Sequence, residues 1–164
     1  REPLQRLQTL DYLLIKADQQ TSDAEPAMPP GCPQPIAATA VSMKLAMPDA
    51  IRLRDGQRRP LRDFARHQVT AIAAIADPDS FFGMLRKQGL QVHAQALPDH
   101  GHIADSLWQQ LPRQQPVLVT SKDAVKLSAQ RIVGGELDIW EVPLQTELPQ
   151  HFLDDLLQRC RRLT

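Results

Sequence analysis

Residues 69–75, VTAIAAI, form an unbroken run of small and apolar side chains, and Asp77-Pro78 follow one residue later. Such a run has no polar face to turn toward water, so it predicts a strand covered on both sides, the situation inside a parallel sheet. Asp77 offers an N-cap and Pro78 suits the first turn of a helix. Phe81, Phe82 and Leu85 then give a buried stripe, and Gly89 fits the C-terminal cap. The same succession recurs downstream. A strand around residues 90–97 runs into LPDHGH, and residues 103–111 read as helical. A third strand at 116–120, PVLVT, passes directly into a helix start, SKDAVKLSA. A fourth strand covers 138–144. Pro149 opens a last helix with Phe152, Leu153, Leu156, Leu157 and Cys160 on one side, and Arg159, Arg161 and Arg162 suit its negative C-terminal end. Alternation of this kind predicts an α/β fold, a mostly parallel sheet with helices on both faces.

The first third is less regular. Asp11-Tyr12-Leu13-Leu14-Ile15 reads as a buried strand, and residues 18–35 are a Pro-rich loop or linker. Residues 41–45 and 51–54 alternate around a Pro48-Asp49-Ala50 turn, which predicts a small β-hairpin ribbon closed by Asp55-Gly56. The basic residues at 57–60 read as a solvated face. Fourteen prolines against two Trp, one Tyr and four Phe leave a lean core. The chain opens on Arg1 rather than methionine, as a piece of a longer protein would.

Nineteen basic and nineteen acidic residues cancel, which argues against nucleic acid as the main partner. No apolar run is long enough for a membrane span, and no signal segment stands at the start. Cys32 and Cys160 read as reduced thiols rather than a disulfide or zinc framework. No phosphate-binding GxxxxGK[ST], GxSxG or GxGxxG occurs in these 164 residues.

In a parallel sheet every strand-to-helix turn leaves by the same edge. Ala76-Asp77-Pro78, Asp99-His100 and Thr120-Ser121-Lys122-Asp123 therefore converge, although they are far apart in sequence. Thr120 and Asp123 have capping-box spacing; the turn either starts a helix or, with Lys122, holds a phosphate. Asp99 can orient His100 for proton transfer from a hydroxyl. Asp99, His100 and His102 can alternatively ligate a metal, as in a metal-dependent phosphoesterase, although no fourth ligand is evident. The third alternative is a solvated polar turn. His67, His93 and His151 are scattered and read as surface residues.

The ordered motifs IAAIADPDSFFGMLRKQGLQV, LPDHGH, LVTSKDAVKL and IWEVPL resemble the C-terminal half of the tetraacyldisaccharide 4'-kinase (lipid A 4'-kinase) family. That family shows A-G-I-G-N-P-x-x-F-F, P-D-H-H and T-E-K-D-A-V-K in this order, and the opening Arg1-Glu2-Pro3-Leu4 is similar to its L-R-E-P-L segment. The resemblance covers about residues 1–16 and 69–157. It implies an ATP- and Mg2+-dependent transferase of lipopolysaccharide biosynthesis that phosphorylates the 4' hydroxyl of the lipid A disaccharide precursor. Its place would be the cytoplasmic face of the Gram-negative inner membrane. The fold implied is a P-loop-kinase-like C-terminal lobe, with residues 1–17 the tail of a preceding lobe, 18–60 linker and hairpin, and 61–164 the α/β lobe. The P-loop, most of the nucleotide contacts and the peripheral membrane contact would lie in an N-terminal half outside this chain, so this part alone would be inactive. By motif match, His100 would be the base, Asp99 its orienting partner, and Arg1, Glu2, Lys122 and Asp123 the cleft edge. The family's paired glycines are Ala74 and Ala76 here, its asparagine Asp77, its second histidine Gly101 and its glutamate Ser121. The competing reading is a non-catalytic α/β module binding an anionic ligand or a protein partner through the same edge.

Overall fold

The computed structural model describes residues 3–16, 31, 39–99, 101, 103–127 and 136–162. Nine strands are β1 (Tyr12–Lys16), β2 (Thr39–Ala46), β3 (Ala50–Arg52), β4 (Arg58–Arg59), β5 (Gln68–Ala73), β6 (Gln91–Ala96), β7 (Val117–Thr120), β8 (Ile139–Val142) and β9 (Gln145–Glu147) among the described residues. The helices are α1 (Pro78–Lys87), α2 (Asp105–Gln110), α3 (Ser121–Ala124) and α4 (Gln150–Arg162), with short 3-10 turns at Leu4–Thr9 and Leu61–Phe64. The chain separates into two compact units: Met47–Leu144, and the flanking Arg1–Ala46 with Gln145–Thr164.

In the larger unit six strands lie in the order β4-β3-β8-β7-β5-β6. β6, β5, β7 and β8 are parallel, and the β3–β4 hairpin adds an antiparallel edge. The run at 69–75 supplies β5, and its side chains alternate between two cores as the two-residue period requires. Val69, Ala71 and Ala73 pack with Phe64, Phe81, Phe82, Leu85 and Trp140 on one face. Ile72 packs with Val117, Val119, Trp108 and Leu111 on the other. Each fully buried Phe or Leu contributes about 1.5–3 kcal/mol, so this sheet is held from both sides. The start and stop of α1 follow from single residues. The Asp77 carboxylate accepts from the Ser80 amide at 3.1 Å, Pro78 occupies the first turn, and Gly89 takes φ +85° just past the end. A Cβ in that left-handed conformation costs roughly 1–2 kcal/mol.

The hairpin differs in its partners from the expectation. A small hairpin is present, but its arms are β3 and β4, closed by Gly56 at φ +73° with the Asp55 carboxylate accepting from the Gln57 amide at 3.0 Å. Strand β2 does not pair with 51–54. It lies parallel to β1 and antiparallel to β9, while β3 pairs with β8, where Arg52 reaches Asp138 at 2.9 Å. β3 thereby gains a long-range partner that an isolated two-stranded ribbon lacks, and such ribbons are marginal in water. The basic stretch at 57–60 is likewise only partly solvated. Arg58 is exposed, but the Arg59 guanidinium stands 4.7 Å from the centre of the buried Trp140 ring, with Arg52 at 4.6 Å. A guanidinium stacks on an aromatic face while keeping its charge near water.

The smaller unit has a three-stranded sheet, β1-β2-β9, and α4. Tyr12 meets Phe152 edge-to-face at 5.0 Å, its hydroxyl donates to Asp155, and Arg159 pairs with both Asp155 and Asp11. The expectation of a buried β1 is not met: Leu14 is 43% exposed. Tyr12 and Leu14 share a face, where Phe152 of α4 covers Tyr12 but Leu14 stays exposed.

Candidate functional site

Strand order locates the binding edge of the larger unit. From β5 the chain continues to β6 on one side, whereas from β7 it continues to β8 on the other. The carboxyl ends of β5 and β7 therefore flank a topological switch point, the usual crevice of open α/β sheets. Three turns leave by this edge: 74–77 after β5, 97–101 after β6 and 120–123 after β7.

The turn after β7 is built around a buried charge. Thr120 accepts from the Asp123 amide at 3.2 Å, as the capping-box spacing predicts. The Asp123 carboxylate is fully buried and accepts three hydrogen bonds: from the Ala74 amide at 3.0 Å, the Thr120 hydroxyl at 2.7 Å and the Lys126 ammonium at 2.9 Å. Burial by itself would push this carboxyl up. The Ala74 amide, Lys126 and Thr120 together outweigh it and hold the carboxyl below the ordinary carboxylate range. Ser121 donates to Glu141 on β8 at 2.6 Å, and Lys122 is exposed. α3 is only four residues long, and its Asp123 amide is already taken by Thr120.

The turn after β6 is open. Asp99 is exposed, and the Gly101 amide donates to the Pro98 carbonyl at 2.8 Å. A Cβ on Gly101 would stand 2.7 Å from that carbonyl oxygen, so glycine here permits the tight closure. The turn is joined to the sheet by the Leu97 amide, which donates to the Ala73 carbonyl at 2.9 Å. His100 and His102, with Arg1 and Glu2, lie outside the described residues. The described members of the expected site thus fall on one edge in two states: Asp99 and Lys122 at the surface, Asp123 beneath it.

Sequence reasoning did not find Lys126, Glu141 or the Ala74 amide. Lys126 had a signal, since it follows Asp123 by three residues along a helical turn. Glu141 and Ala74 had none: each is brought in by sheet pairing. Of the carboxylates at this edge, Asp77 accepts from the Ser80 amide, Asp123 pairs with Lys126 and Glu141 accepts from Ser121. Among the described residues no group of three His, Cys, Asp or Glu is placed to hold a metal ion. No helix among them is long and apolar enough to cross a membrane. His67, His93 and His151 are all exposed, as expected.

Residues 1–161 match the family model described as tetraacyldisaccharide-1-P 4'-kinase. A tetraacyldisaccharide 4'-kinase from Xanthomonas euvesicatoria pv. vesicatoria is 35% identical over 164 residues, covering 99% of this chain and 45% of the relative. The enzyme of the same name from Xylella fastidiosa is 36% identical over 165 residues, covering 99% of this chain and 44% of the relative. Among solved structures, the "apo" form of LpxK from Aquifex aeolicus in complex with ATP matches with a TM-score of 0.55 at 21% identity, covering 97% of this chain and 45% of that one. The likeness to that structure shows the α/β fold. The chain spans about half the length of the curated relatives it matches.

Proposed function

The chain belongs to the tetraacyldisaccharide-1-P 4'-kinase family, and on that premise we propose that it forms the acceptor-side portion of an ATP-dependent kinase acting on the lipid A disaccharide precursor. The reaction is transfer of the terminal phosphoryl group of ATP to the sugar's 4' hydroxyl, a step of lipopolysaccharide biosynthesis. His100 takes the proton of that hydroxyl as its oxygen bonds to phosphorus; the bond to the ADP oxygen breaks, and ADP leaves. Asp99 orients the imidazole, and an aspartate of the N-terminal lobe pairs with it. Arg1, Glu2 and Lys122 border the cleft.

The observation that carries this reading is the combination of a family match over residues 1–161 with an Asp99 turn exposed on the sheet's binding edge. ATP and Mg2+ are assigned mainly to the N-terminal P-loop lobe. Asp77 and Asp123 are already committed to protein amides, and no P-loop sequence occurs in this chain. Peripheral contact with the cytoplasmic face of the inner membrane is assigned to that same lobe.

The test is His100→Ala in the protein at its natural length, assayed with ATP and the lipid disaccharide. Turnover should fall about a hundredfold or more, the usual cost of losing a general base, with ATP affinity retained. Unchanged turnover would remove His100 from the mechanism.

A further inference from the structure

We propose that Asp123 is a positioning residue for the Asp99 turn, acting through the single peptide group that joins Ala73 to Ala74. Its catalytic consequence rests on the kinase reading; its structural content does not. A buried carboxylate is a costly way to fill space, and an apolar side chain of similar size often does so with no loss of stability. What the carboxylate adds is an acceptor for a backbone N–H. Ala74 is 2% exposed and is the first residue beyond β5, so without Asp123 its amide would be buried and unpaired.

The other end of the same peptide group faces the other turn. The Ala73 carbonyl accepts the Leu97 amide at 2.9 Å, while the Ala74 amide donates to Asp123 at 3.0 Å. A peptide group is planar and stiff, so these two hydrogen bonds cannot shift independently. Asp99 follows Leu97 by two residues, in the turn closed by Gly101 on Pro98. A continuous line of fixed geometry therefore runs from Asp123, across the switch point, to the base of the Asp99 turn. Thr120 and Lys126 hold the carboxylate in place from both of its oxygens. Asp123 would then act without touching substrate.

The test is Asp123→Asn in the protein at its natural length, followed by residue-resolved amide exchange, ATP affinity and turnover. The expected result is about tenfold faster exchange at Leu97 and Gly101, because the neutral oxygen left in Asn is a weaker acceptor for the Ala74 amide and its NH2 cannot accept from Lys126. Leu85 in α1 should keep its rate, and ATP affinity should hold within about twofold while turnover drops. Unchanged exchange at Leu97 and Gly101 overturns the proposal, whatever happens to turnover. A uniform acceleration that includes Leu85 overturns it too, because Asp123 would then merely hold the fold. Faster exchange confined to the turn with normal turnover upholds the positioning and instead counts against the kinase role given to the turn. Should Asp123→Asn not fold, Thr120→Val removes one donor and keeps the charge. It should give the same pattern at about threefold, with Thr120→Ser restoring the original rates; equal rates in the two variants would refute the proposal.

Discussion

The turn after β7 buries its carboxylate beneath three donors, whereas the turn after β6, two strands away, carries Asp99 at the surface and is closed by the Gly101 amide on the Pro98 carbonyl. Both leave the same edge, and the sequence reading put Asp99 beside the catalytic base and Asp123 at the cleft edge. The structure separates them by burial, Asp123 beneath the edge and Asp99 on its surface, and the positioning proposal casts them as support and presentation. A saturated buried charge resists motion because each donor it releases would be left unpaired in a low-dielectric interior. An exposed turn can adjust to a ligand, provided that its base is held.

The sharpest break of that contrast is Asp123→Ala. It leaves the buried Ala74 amide without an acceptor and removes a bond to Thr120, while Lys126 turns to solvent, and should cost about 3 kcal/mol in a denaturant titration. A loss well under 1 kcal/mol would mean that the carboxylate does not hold the edge. The same group sets a pH signature. Its folded pKa lies below the unfolded value, so its contribution is fully present above about pH 4 and is lost as pH falls through the depressed folded value. Asp123→Asn should therefore flatten the acid limb of the stability curve below that pH. An unaltered limb would show that other carboxylates govern it.

A smaller effect is expected in the exposed turn. Gly101→Ala places a Cβ 2.7 Å from the Pro98 carbonyl oxygen. The turn must open to admit it, at roughly 1–3 kcal/mol, the usual range for overpacking. An unchanged unfolding midpoint would show that the turn already samples wider forms. Smallest of all is Asp99→Asn, which should leave the unfolding midpoint where it was and lower only turnover; a clear drop in midpoint would move Asp99 from presentation to support.

The α/β order, the α1 boundaries and the Thr120 cap were legible because each depends on neighbours within a few residues: Asp77 with Ser80, Gly89 after α1, Thr120 with Asp123. The partner of β2 was not. Its register with β9 joins residues about a hundred positions apart, and alternation alone does not say which strand a strand will choose. Nor does sequence say what a buried carboxylate will accept. Thr120 and Lys126 are visible as side chains near Asp123, but the Ala74 amide is backbone, identical in kind to its neighbours, and only the β5–β7 register selects it.

The unit from Met47 to Leu144 interrupts the other one, which matters for the order in which a ribosome delivers them. β2 emerges about a hundred residues before β9, a wait of roughly 5–20 s at ordinary elongation rates, with one edge of the strand unfilled. The inserted unit has its full set of strands before β9 appears. Its first and last strands are neighbours, Ile51 opposite Glu141, so its folding draws the two ends of the insertion together. Gln145 then arrives beside Ala46 across a loop already closed, and most of the chain entropy that would oppose that late pairing has been removed beforehand.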